Sequence, residues 1–247
     1  MNIIELGKDN SDIIMLLHGG GLSWWHYRSE SELLSRDYHV VLPILDGHAG
    51  SDDDFISIEE TARKLVDFID EKYNGHILIL GGTSLGAQIV IEMMAQKNDI
   101  CDYAIIESAS VIPSRLTHAL IGTSIAMSYG LIQKKWFAKL QFKYLRINND
   151  LFDDYYRDTS KITKKNMISF LKANTGYKLK DSFKDTKACT RIVAGGKEQR
   201  LIRKSAKLLH DCLPESKLEI KKGLYHGEYS INNPEMYVDD LKDMMHF

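Results

Sequence analysis

The 247-residue chain predicts an α/β fold, a mostly parallel sheet of about seven strands with helices on both faces. Three observations predict it. Apolar runs of strand length recur along the chain, helical patterns fill the gaps between them, and residues 109–185 interrupt the alternation with helical patterns alone. At 44% hydrophobic the chain can bury a large core, and α/β folds of this length are routinely one domain.

Strands are expected at residues 3–6, 13–17, 39–42, 77–80, 103–107, 190–194 and 217–220. The clearest helix is 58–73, where Ile58, Ala62, Leu65, Val66, Ile69 and Tyr73 share one face, with Ser57 and Glu60 as a capping box. A second helix is expected over 85–96. Pro234 opens the last one, in which Tyr237, Val238 and Leu241 repeat at packing spacing. The interruption carries amphipathic stretches at 116–127, 134–144 and 164–173, so the expected organisation is a core of 1–108 and 186–247 with a helical insertion of 109–185.

Gly82-Thr83-Ser84-Leu85-Gly86 lies between a predicted strand and a predicted helix. A serine on so tight a turn is aimed out of the sheet edge, and the following helix N-terminus offers a backbone N–H to a developing oxyanion. The strand at 13–17 runs into His18-Gly19-Gly20-Gly21, a loop whose glycines let backbone approach a substrate oxygen. Leu85, Gly20 and Gly21 are the expected oxyanion donors. A serine nucleophile needs a base, and the base an orienting carboxylate. Of nine histidines, His226 sits in a glycine-flanked loop before the terminal helix. Glu198, just past the strand at 190–194, is the acid in the expected order Ser84, Glu198, His226; Asp211 and Asp185 are nearby alternatives.

Four motifs carry a family resemblance: Leu17–Gly21 (LHGGG), Gly47–Ser51 (GHAGS), Gly82–Gly86 (GTSLG), and His226-Gly227-Glu228 with a helix after it. On these the chain resembles the α/β-hydrolase superfamily from end to end, in particular its small single-domain members with an inserted helical lid. The resemblance implies that fold with its leading antiparallel hairpin trimmed, a lid at 109–185, an acyl-enzyme mechanism, and the roles given to Ser84, Glu198 and His226. Two departures stand out. Ile44 follows Pro43 where the family often has Asp, and the triad acid is more often Asp than Glu. The HGGG string also occurs in hormone-sensitive-lipase-like esterases, but other features of that group are absent.

The expected reaction is hydrolysis of a carboxylic ester or thioester of a small-to-medium apolar acyl group. Some of Leu116, Leu120, Ile125, Met127, Leu131, Trp136, Phe137 and Leu140 are expected to face the cleft above Ser84 and supply an acyl pocket. C–C bond hydrolysis, a lyase or haloperoxidase reaction on the same Ser/His pair, and a non-catalytic ligand receptor remain open. A serine at position 84 excludes the aspartate nucleophile of epoxide hydrolases and dehalogenases.

A net charge of −2 argues against a nucleic-acid partner. No stretch approaches the roughly 20 apolar residues of a membrane span, and Met1–Glu5 lacks the basic start of a signal peptide, so a cytoplasmic monomer or homodimer acting on a small molecule is expected. No cofactor or metal is implied, and Asp52-Asp53-Asp54 reads as a solvated loop. Cys101, Cys189 and Cys212 are expected to be free, buried thiols. His18 and His48 are read as braces between loops, Trp24 and Trp25 mainly as packing residues.

Overall fold

In the computed structural model, residues 1–245 are described. They form a seven-stranded sheet in the order β1-β3-β2-β4-β5-β6-β7. The strands are β1 (Asn2–Leu6), β2 (Ile13–Leu17), β3 (His39–Ile44), β4 (Ile77–Thr83), β5 (Cys101–Glu107), β6 (Cys189–Gly195) and β7 (Lys217–Lys221). β1 runs antiparallel to β3, and every other pairing is parallel. All seven predicted strands are present, and a single antiparallel strand stands where a hairpin would otherwise lead the fold.

Ten helices appear among the described residues: α1 (Arg28–Leu34), α2 (Ile58–Tyr73), α3 (Leu85–Gln96), α4 (Arg115–Ile132), α5 (Lys135–Leu145), α6 (Phe152–Thr159), α7 (Lys164–Gly176), α8 (Arg200–Cys212), α9 (Glu228–Asn232) and α10 (Pro234–Met244). The strand period of two sends successive side chains to opposite layers. Met15 and Leu17 of β2 pack on the α2, α3 and α8 face, whereas Ile14 and Leu16 join Tyr27, Leu34, Tyr237 and Leu241 on the α1 and α10 face. On α2, Ile58, Ala62, Leu65 and Ile69 are buried, and fully burying each of the larger ones contributes about 1.5–3 kcal/mol. The Ser57 hydroxyl accepts the Glu60 N–H at 3.1 Å, but the Glu60 carboxylate pairs with Arg63, so one half of the capping box forms.

Register decides where chemistry can sit. Leu17 pairs with Gly82, Thr83 with Glu107, and Glu107 with Val193, so these strands end side by side. Their following loops therefore share one edge, the carboxyl edge at which open α/β sheets bind ligands. Between β5 and β6 the chain is helical, from α4 to α7, with a short 3-10 turn at Asp181–Asp185. No helix among the described residues is long and apolar enough to cross a membrane.

One expectation about the thiols needs correcting. Cys101 is buried, but Cys189 is exposed and Cys212 half-buried, because Cys189 opens β6 at the sheet's amino edge and Cys212 ends α8. The aspartates at 52–54 are also more engaged than a solvated loop implies: Asp53 pairs with Lys64 and the amino terminus, and Asp54 with Lys165.

Candidate active site

Ser84 occupies the turn from β4 into α3 with φ 54° and ψ −111°. Left-handed backbone at a non-glycine residue costs on the order of 1–3 kcal/mol and persists only where its surroundings enforce it. Here they do. The Ser84 N–H donates to the Glu107 carbonyl at 2.9 Å, and its own carbonyl accepts the Gln88 N–H at 3.0 Å. A Cβ on Gly82 would lie 2.6 Å from the Gly86 carbonyl carbon, and one on Gly86 would overlap the Leu17 carbonyl oxygen. Strand, turn and helix are packed to backbone contact around the serine.

Three sequence-predicted residues meet. His226 Nε2 lies 3.0 Å from Ser84 Oγ, and its Nδ1 lies 2.8 Å from Glu198 Oε2. Glu198 is held from below, Oε1 accepting the Gly195 N–H at 2.6 Å and the Ser108 O–H at 2.7 Å. Ser108 is a residue that sequence reasoning missed. It has φ 57°, accepts the Gly227 N–H at 3.2 Å, and so ties the acid to the histidine loop. Asp211 pairs instead with Lys207 at 3.0 Å along α8, and Asp185 is exposed.

Electrostatics separates His226 from the buried histidines. Burial pulls its imidazole down, but the hydrogen bond and charge of Glu198 outweigh this and raise its pKa; 46% of the side chain is exposed. Burial likewise pushes Glu198 up, and the hydrogen bond and charge of His226, with the Gly195 and Ser108 bonds, hold it below the usual range. His48 is lowered to about 4 and His26 to about 3 by burial, and His18 falls well below its ordinary value for the same reason. Those three are neutral braces. His18 Nε2 accepts the Leu45 N–H at 3.1 Å, His48 Nε2 accepts the Gly21 N–H at 3.0 Å, and His26 Nε2 meets Ser230 Oγ at 2.9 Å.

That brace corrects one expectation. Gly21, at φ 80°, turns its N–H onto His48, so it has no donor left for an oxyanion. The N–H groups of Gly20 and Leu85 find no acceptor among the described residues. The glycine loop runs against the elbow: a Cβ on Gly19 would lie 3.9 Å from Ser84 Cβ, and one on Gly20 3.5 Å from Leu85 Cδ2 and 3.3 Å from the Phe170 ring.

Beneath the serine is a second buried network that sequence reasoning did not find. Thr83 Oγ1 donates to Glu107 Oε2 at 2.7 Å, the Tyr27 hydroxyl meets Thr83 Oγ1 at 2.7 Å, and Glu107 Oε1 accepts the Tyr229 and Ser230 N–H groups at 3.2 and 3.3 Å. Burial raises Glu107. It binds the ends of β4 and β5 to the start of α9, directly after the His226 loop.

A cavity of about 590 Å³ opens on His226. None of the eight residues expected to supply an apolar pocket lines it. Leu116, Leu120, Met127, Trp136 and Leu140 are 53–80% exposed, Leu131 is also exposed, and Ile125 and Phe137 pack into the main core. Their helices bury the opposite faces, through Ile121, Ile132, Ala138 and Phe142. The apolar wall comes instead from Leu145, Leu201 and Ile202. Trp25 is buried as a packing residue, with its indole N–H also donating to Asp158 at 2.9 Å.

A profile described as the alpha/beta hydrolase family matches residues 14–208. The chain belongs to this family. Solved structures agree with it. An enol-lactonase from Burkholderia xenovorans LB400 superposes on this α/β hydrolase with a TM-score of 0.83 at 14% identity, covering 100% of this chain and 96% of that one. A bromoperoxidase from Bacillus anthracis gives 0.83 at 15% identity, with 99% and 95% covered. A thermophilic esterase from Thermogutta terrifontis gives 0.80 at 13% identity, with 99% and 92% covered. Identities this low speak for the fold alone. A search of curated proteins finds no matching sequence.

Proposed function

We propose that this α/β hydrolase cleaves a carboxylic ester or thioester through an acyl-enzyme on Ser84. The observation that carries the reading is the relay from Glu198 to His226 to Ser84, at 2.8 and 3.0 Å, on a backbone held strained at the serine. His226 takes the Ser84 proton as Oγ attacks the acyl carbon, and Glu198 keeps Nδ1 protonated and stabilises the imidazolium. The oxyanion is received by the N–H groups of Leu85 and Gly20, a contribution of roughly 10²–10³ in rate per donor. The imidazolium then protonates the leaving group, and water activated by His226 releases the acid. The esterase from Thermogutta terrifontis supports ester hydrolysis as a reaction this fold performs.

In this reading the 109–185 segment is a lid on the 1–108 and 186–247 core, and the cavity takes a small-to-medium acyl group along Leu145, Leu201 and Ile202. A fluorophosphonate probe is expected to label Ser84 and no other serine. Ser84→Ala is expected to fold, to lose labelling, and to lose about 10⁴-fold or more in kcat. A p-nitrophenyl ester series from acetate to decanoate is expected to show an optimum chain length. Unchanged turnover in Ser84→Ala, or negligible rates across the whole series, would overturn the reading.

A further inference from the structure

The cavity beside His226 carries more positive charge than cleavage of a neutral ester requires. Its wall includes Lys143 near the end of α5, Arg146 directly after it, and Lys197 in the turn before α8. Lys143, Arg146 and Lys197 form no ion pair among the described residues. The acid in the same wall, Glu198, has both oxygens engaged by His226, Ser108 and Gly195. Three cations therefore share one concave space with a single carboxylate, that of Glu198, which is turned to His226, Ser108 and Gly195.

Arg146 is also positioned. It holds φ 57°, left-handed backbone unusual for a residue with a side chain, and its carbonyl accepts the Asn232 side-chain N–H at 2.7 Å. Its guanidinium lies over the Tyr225 ring, 3.8 Å from the centroid. Stacking occupies the flat face of the fork and leaves its N–H edge free for a two-point bond to an oxyanion. Tyr225 immediately precedes His226, so that fork is anchored one residue from the imidazole that meets Ser84. The apolar side chains of Leu201 and Ile202 line the same space.

We propose that this cavity is an anion subsite, and that the substrate bears a carboxylate or phosphate at the end of an apolar arm, away from the carbonyl that Ser84 attacks. That Ser84 acts there rests on the hydrolase reading above. The anion subsite stands on the cavity alone.

Calorimetric titration of the wild-type protein with hexanoate, hexyl phosphate and neutral hexanamide tests it. At low salt the better of the two anions is expected to bind at least tenfold more tightly than hexanamide, and which one leads identifies the group. Arg146→Asn, which tolerates left-handed backbone, and separately Lys197→Gln are each expected to weaken the anion severalfold or more, as is raising NaCl from about 50 to about 500 mM. Hexanamide binding as well as both anions, or anion binding undiminished in both variants, overturns the proposal. A protein that binds the anion but hydrolyses no ester keeps the subsite and loses the hydrolase reading. One that hydrolyses neutral esters and binds no anion does the reverse.

Discussion

Around Ser84 the backbone itself sets the geometry. Gly82 and Gly86 bring strand and helix together, the Glu107 carbonyl holds the Ser84 N–H, and every oxygen of Glu198 has a donor. The helices from α4 to α7 are attached differently, by scattered side-chain anchors. The Gln88 amide bridges the Ser110 and Asn174 carbonyls at 2.6 and 2.8 Å, Asn166 reaches Asp54 and the Phe55 N–H, and Trp25 reaches Asp158. Their outer surface leaves large apolar side chains in water. The contrast separates a region where one added methyl group is too many from one held by side-chain anchors and by buried residues such as Ile132, Met167 and Phe170, whose outer surface is free to vary.

The largest effect is expected at the relay. Glu198→Gln should lower kcat by roughly 10³-fold or more with the fold intact, since the imidazole loses its orienting partner. The pH profile checks the cause. In the proposed mechanism His226 must be neutral to act as base, and Glu198 raises its pKa, so wild-type kcat/KM should climb through a limb above the ordinary 6.5. Removing the carboxylate should move that limb to lower pH; a limb that stays put would dissociate Glu198 from the titration.

Gly86→Ala tests the claim of backbone contact. The new Cβ would have to displace the backbone carbonyls of both Leu17 and His18, and a loss of about 3 kcal/mol in denaturant unfolding is expected. A loss below about 0.5 kcal/mol would show a looser elbow than described. Trp25→Phe tests the anchors. It removes one indole hydrogen bond to Asp158, which keeps Arg157 as a partner, so about 1–2 kcal/mol is expected. The smallest change belongs to the outer surface: Met127→Gln, at a side chain 80% exposed, should stay within about 0.5 kcal/mol of wild type.

The same contrast explains what could be read from the residue order. Strands and the helices α2, α3 and α10 announce themselves through local period, caps and glycine placement; Ser84 sits between β4 and α3, and Glu198 and His226 sit in the connections that follow β6 and β7. In the proposed relay Glu198 can take the slot usually held by Asp because Gly195 and Ser108 clamp Oε1 and leave Oε2 at the imidazole. Ser108 and Glu107 leave no such local trace. Their importance comes from register, which places the end of β5 beside the elbow. The short acidic helix α6 escapes detection because its anchors, Trp25 on Asp158 and Arg28 on Asp154, lie more than a hundred residues away. The apolar residues of α4 and α5 mislead for the opposite reason: hydrophobicity alone does not say which side of a helix meets the cleft.

The path of the chain out of β5 sets a limit on how this protein can be rebuilt. Because β5 and β6 are parallel, the polypeptide leaves at the carboxyl edge after Glu107 and must regain the amino edge at Cys189, roughly 20 Å away along the strands. The final part of the helical segment makes that journey, with Tyr177 bonded to Glu92 at 3.2 Å, Phe183 buried in the core, and the Lys187 N–H donating to the Asn98 carbonyl at 2.8 Å. These helices are thus no detachable module hung on a finished core. Cutting out 109–185 with a short splice would remove the rail on which the chain travels back, while a graft that exchanges the helices before Tyr177 and keeps 177–188 leaves the sheet able to close its order.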